Sequence, residues 1–213
     1  MIAPDYPPVN TIGEFTDAFD AILHNERVEM VTIGGQSYGG ILAQAYLAQR
    51  SKVVERLILS SSGPADYGKA WLPVEYLCIG LVRILPEKTV KSLLTGGLLR
   101  FITIPEAEQK EWKEAINYVM QKELTRLDVV SHFAVAADLI RRGIITRKAY
   151  QNWTGRILIL SSENDPTQSK KDIPHYERLF GRAVEVINMG KMGHTAALSD
   201  PDQYTALVEG ALR

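Results

Sequence analysis

Apolar residues recur at helical spacing from Ile12 through Phe15, Phe19, Ile22 and Leu23, and Thr11 precedes Glu14 by the three residues of a capping box. The two signals together predict a helix that starts after Thr11 and packs one face on a core. The run Val28 to Ile33 differs: it is short, mostly apolar, rich in β-branched residues and bounded by polar and glycine positions, as in a strand covered on both faces. Ile41 to Ala48 supplies good helix formers with little polar content, which predicts a buried helix. Further strands are expected at Arg56 to Ser60, Arg156 to Leu160 and Ala183 to Ile187.

Short apolar strands alternating with helices imply right-handed crossovers, so the fold class is α/β, a mostly parallel sheet with helices on both faces. Between Ala65 and Asn152 the alternation stops. Trp112, Ala115, Ile116, Val119 and Met120 fit one amphipathic helix; Val130, Phe133, Ala134, Ala137 and Ile140 fit another that ends at Gly143. This interval reads as an inserted helical cap, dividing the chain into 1–64 (first part of the core), 65–152 (cap) and 153–213 (second part of the core). Trp71 to Val74 and Tyr76 to Leu85 are expected to form the cap's own core, and Gly96-Gly97 marks either a hinge or a helix break.

Composition narrows the function classes. With Lys+Arg 24 against Asp+Glu 25, the chain has no basic run suited to a phosphate backbone, so nucleic-acid binding is not expected. The one cysteine, Cys78, excludes an internal disulfide framework and, among apolar neighbours, reads as a buried thiol suited to a reducing compartment. No stretch reaches the roughly 18 apolar residues of a membrane span. Met1 to Asp5 lacks the pattern of a secretory leader, so the expected location is the cytoplasm. His24, His132 and His175 share no metal-ligand spacing, and neither a metal nor a cofactor is expected.

The chemistry concentrates in Gly34-Gly35-Gln36-Ser37-Tyr38-Gly39-Gly40, between the predicted strand and helix. A serine flanked by glycines at that junction fits a sharp turn that lifts its hydroxyl above the sheet, with the Tyr38 N–H at the helix start facing a developing oxyanion. The pentapeptide alone arises by chance in about one chain of this size in ten, so partners are required. A serine hydroxyl needs a base to take its proton and a third group to orient the base. Asp165 follows one predicted strand and His194 follows the last, both at the sheet's carboxyl edge. Glu163 and Asp66, in the loop after the Arg56 to Ser60 strand, are the competing acids.

Gly35-Gln36-Ser37-Tyr38-Gly39, Glu163-Asn164-Asp165-Pro166 and Gly193-His194 together resemble the nucleophile elbow, acid loop and histidine loop of the α/β-hydrolase superfamily, in that fold's chain order. The resemblance covers nearly the whole chain. It implies a serine hydrolase acting on a carboxylic ester or related acyl bond of a small apolar substrate, with Ser37 as nucleophile, His194 as general base and then acid, Asp165 as orienter and Tyr38 as oxyanion donor. Ile2 to Tyr6 is similar to the end of the superfamily's fourth strand. On that alignment the first three strands and the loop that usually carries a second oxyanion N–H are missing, so the chain is expected to be part of a longer protein. A non-catalytic adaptor on the same scaffold is the alternative. No protein partner is legible.

Overall fold

The computed structural model describes residues 1–102 and 108–212. Four parallel strands, β1 (Val31–Gln36), β2 (Val54–Ser60), β3 (Arg156–Ser161) and β4 (Glu185–Asn188), lie in the order β1-β2-β3-β4. Around them run α1 (Ile12–Asn25), α2 (Tyr38–Arg50), α3 (Leu72–Ile84), α4 (Glu87–Leu98), α5 (Gln109–Lys122), α6 (Arg126–Arg142), α7 (Arg147–Tyr150), α8 (Asp172–Phe180), α9 (Ala196–Ser199) and α10 (Pro201–Leu212).

Strand periodicity builds two cores, one on each face of the sheet. Leu57, Leu59, Ile157 and Ile159 point to the larger core with Ile12 and Phe15 of α1, the buried face of α2, and Tyr176 and Phe180 of α8. Ile58, Leu158 and Leu160 point to the other, against Met189, Ala196 and Ala211. This is the expected α/β class with helices on both faces. The Thr11–Glu14 capping box forms, and Gly143 ends α6 at φ 57°.

The start of the chain departs from expectation. Val28 belongs to the turn that closes α1, its N–H donating to Leu23 O, and β1 instead runs through Gly34 and Gly35 to Gln36, opposite Ser60. Nor is β1 covered on both faces: it is an edge strand, and only Ile33 is buried along it. Residues 2–6 form no strand; Ile2 and Tyr6 help line a cavity of about 740 Å³ beside β1.

Among the described residues, 65–152 hold a short 3₁₀ turn at Lys69–Trp71 and α-helices only. Val82 of α3, Val90 of α4 and Val129 and Val130 of α6 share a separate small cluster. The other face of α3 is not the expected core: Leu77 is 61% and Ile84 83% exposed, with Trp71 and Tyr76 also exposed. Packing against α6 uses one side of α3, and Leu77, Leu81 and Ile84 stay exposed. Cys78 is accordingly half-buried rather than buried. Gly96 and Gly97 lie inside α4, so the chain does not break there.

Asp138 ties α6 to the start of α1. Its carboxylate accepts from Ile12 N at 3.1 Å and pairs with Arg142 at 2.8 Å and with Arg141. Burial pushes the carboxyl up, but the hydrogen bonds from Arg141, Arg142 and Ile12 outweigh it and leave it below its ordinary value. A depressed folded value contributes stability that is present above the unfolded pKa of about 4 and is lost as pH falls through the folded one. Asp138→Asn should therefore cost about 2–3 kcal/mol at neutral pH, a fall in Tm of roughly 5–10 °C. The gap between the two melting temperatures should hold down to about pH 4 and close as pH falls further below it; a gap that stays constant well below about pH 4 would refute the ionic origin of the effect.

Candidate active site

β1 and α2 meet at Ser37, whose φ of 51° and ψ of −119° fall where a non-glycine residue is strained. The turn holds because Ser37 N donates to Ser60 O at 3.0 Å and Ser37 O accepts from Gly40 N at 3.0 Å. The glycines around it divide by role. A Cβ on Gly35 would lie 2.2 Å from Gly39 O, and one on Gly40 would lie 2.5 Å from Ser62 Oγ, so both must stay bare. Gly39 has room, its nearest contact being Tyr6 Oη at 3.6 Å. The tight positions are thus two before and three after the serine, not two on either side.

His194, in the loop after β4, puts Nε2 at 3.1 Å from Ser37 Oγ. Its Nδ1 lies 3.1 Å from Asp165 Oδ1 and 3.2 Å from Oδ2. All three residues singled out in the sequence therefore converge. Asp165 follows β3 and its side chain is fully enclosed. Burial pushes this carboxyl up, yet the hydrogen bonds from the Thr167 hydroxyl and amide and the charge of His194 outweigh it and hold it below its ordinary value. The carboxylate at Nδ1 assigns the imidazole proton to that nitrogen, which leaves Nε2 bare to accept the serine hydroxyl.

Four residues around these three escaped the sequence reading. Thr167 donates from N (2.8 Å) and Oγ1 (2.7 Å) to Asp165 Oδ1, and its Oγ1 also lies 3.0 Å from His194 Nδ1. The Asp-x-Thr spacing of an Asx turn was the available signal. Gln36 Nε2 donates to His194 O at 2.7 Å, and Ser162 Oγ accepts from Gly193 N at 2.7 Å, fixing the histidine loop from both sides. Phe101, reaching in from beyond α4, lies with its ring 5.9 Å from the His194 ring.

Neither competing acid faces the histidine. Asp66 Oδ2 is 2.9 Å from His175 Nε2, beside a separate cavity of about 440 Å³, and Glu163 accepts from Asn188. The His132 ring lies against the Tyr38 ring, centroids 3.9 Å apart and tilted by 36°, while His24 lies exposed at the end of α1. The Tyr38 amide opens α2, where the first N–H groups of a helix have no partner within it. Among the described residues no group of three or more His, Cys, Asp or Glu is placed to hold a metal ion, and no helix is long and apolar enough to cross a membrane.

A parallel sheet flanked by helices, with serine, histidine and carboxylate in line at its carboxyl edge, defines an α/β protein of the hydrolase type. The sequence profile of the alpha/beta hydrolase family matches residues 2–207, and the chain belongs to that family. It is similar in fold to a thermophilic esterase from Thermogutta terrifontis (17% identity, TM-score 0.70, covering 100% of this chain and 75% of that one). It is also similar to a hydrolase from Pseudomonas aeruginosa (16%, TM-score 0.69, 100% and 74%). An enol-lactonase from Burkholderia xenovorans gives like figures (17%, TM-score 0.68, 99% and 75%). No curated protein matches the sequence.

Proposed function

We propose that the chain is a serine hydrolase that cleaves a carboxylic ester or related acyl bond through a covalent acyl-enzyme. The observation that carries this reading is the Ser37–His194–Asp165 relay, with 3.1 Å at each junction, mounted on a strained turn. Ser37 Oγ attacks the acyl carbon as His194 Nε2 takes its proton, and the Tyr38 N–H faces the oxyanion. The imidazolium returns the proton to the leaving alkoxide. Water, deprotonated by the same nitrogen, then attacks the acyl carbon and releases the acid and the free serine. Asp165 holds the ring and its Nδ1 proton throughout.

Residues 65–152 act as a lid over this centre, a role supported by the approach of Phe101 to His194 and of His132 to Tyr38. The aromatic side chains they bring favour a small acyl substrate with groups that pack on aromatic faces. A lone, half-buried thiol suits a reducing compartment such as the cytoplasm. Incubation with a fluorophosphonate should add a single adduct to the intact mass, mapped to the peptide containing Ser37. A folded sample that takes up no adduct would instead fit a scaffold protein without an activated hydroxyl.

A further inference from the structure

A cavity of about 230 Å³ adjoins the nucleophile turn, walled by Tyr38, Tyr67, Trp71, His132 and Phe133 and holding the side chain of Glu75. It is smaller than the roughly 300 Å³ and upward that take a drug-sized molecule, so it suits a head group. Its lining contains no lysine or arginine. Among the described residues the Glu75 side chain makes neither a hydrogen bond nor an ion pair. A half-buried carboxylate with no cationic side chain in the lining, set beside aromatic side chains, has one good complement: an alkylated ammonium ion, which satisfies the charge without needing hydrogen bonds and is drawn to aromatic faces.

We propose that this cavity binds an alkylammonium group carried by the substrate, with Glu75 as its counter-ion and Trp71, Tyr67 and Tyr38 as its cage; assigning it to a substrate rests on the hydrolase reading above. The electrostatics agree. Burial pushes the Glu75 carboxyl above its ordinary value, a cost that a bound cation relieves. The Tyr67 phenol is raised by burial and then by Asp172, Glu75 and Asp66, so the wall of the cavity sits in a negative field. The link to the reaction is Tyr38: its ring lines the cavity while its amide sits at the oxyanion position. A cation seated there brings its attached ester to the turn that carries Ser37.

Direct titration with tetramethylammonium chloride, against sodium chloride at equal ionic strength, tests the site without reference to catalysis. Binding should weaken about tenfold in Glu75→Gln and by a similar factor in Trp71→Leu. Hydrolysis tests the assignment to substrate: acetylcholine should exceed its neutral carbon isostere, 3,3-dimethylbutyl acetate, by about tenfold in kcat/KM, and Glu75→Gln should bring that ratio to about one. Trp71 is exposed and Glu75→Gln conserves shape, so both variants should fold, as melting curves would record. Absent tetramethylammonium binding, or binding equal in wild type and Glu75→Gln, overturns the site. Glu75-dependent binding in a protein that hydrolyses neither ester and takes no fluorophosphonate keeps the site and removes the hydrolase reading instead.

Discussion

Ser37→Ala is expected to lower kcat/KM for a short acyl ester by about 10⁴- to 10⁶-fold while leaving Tm unchanged. The effect corresponds to roughly 5–8 kcal/mol of lost transition-state stabilisation. Its size follows from the arrangement of the site: removing Oγ leaves His194 with no hydroxyl to deprotonate, so only uncatalysed attack by water remains, aided by the Tyr38 amide. Stability should not move, because alanine at φ 51° is as strained as serine and the anchoring bond to Ser60 O comes from the backbone. Steady-state kinetics on both proteins, with their melting curves, make the comparison. A loss of less than about tenfold would mean that another group attacks, since the residual rate of a triad lacking its nucleophile lies far lower.

Asp165→Asn should cost about 10³- to 10⁴-fold in kcat, whereas Asp66→Asn should stay within about threefold of wild type. The asymmetry rests on partners. Asp165 accepts a hydrogen bond from His194 Nδ1–H, and an asparagine amide turned toward that nitrogen would stabilise the opposite tautomer, with the proton on Nε2 where the serine needs an acceptor. Asp66 faces His175 instead. The depressed value of the Asp165 carboxyl also means that its charge persists at and above about pH 4, so acid inactivation above that pH has another origin. If Asp66→Asn abolished turnover while Asp165→Asn kept it, the acid would be misassigned.

The three side chains that converge in the candidate site were legible because the proposed chemistry restricts both residue type and place. Serine, acid and histidine each had to follow a strand, and Ser37, Asp165 and His194 each do. Strand limits were harder to read. Gly34 and Gly35 look like a turn in sequence, yet they continue β1, because the ladder with Ile58 and Leu59 compensates for glycine's low strand propensity. The apolar residues of α3 marked a helix correctly but not what would cover it: hydrophobicity records a tendency to leave water, and only α6, 40 or more residues away, decides which side is covered. Thr167 and Gln36 stayed hidden for a related reason. Each is an ordinary polar residue until the fold sets it beside the His194 loop. Glu75 reads in the chain as one more charged position near a helix start; its aromatic surroundings come from α2, α6 and the segment before α3.

The backbone at Ser37 also bears on how such a protein drifts over generations. A conformation at φ 51° that glycine adopts freely costs serine on the order of 1–3 kcal/mol. Selection for foldability alone would therefore favour replacing that residue, and each stabilising change elsewhere in the molecule widens the margin within which the strained turn is tolerated. A serine at this position is a standing debt against stability, and the proposed turnover is what would repay it.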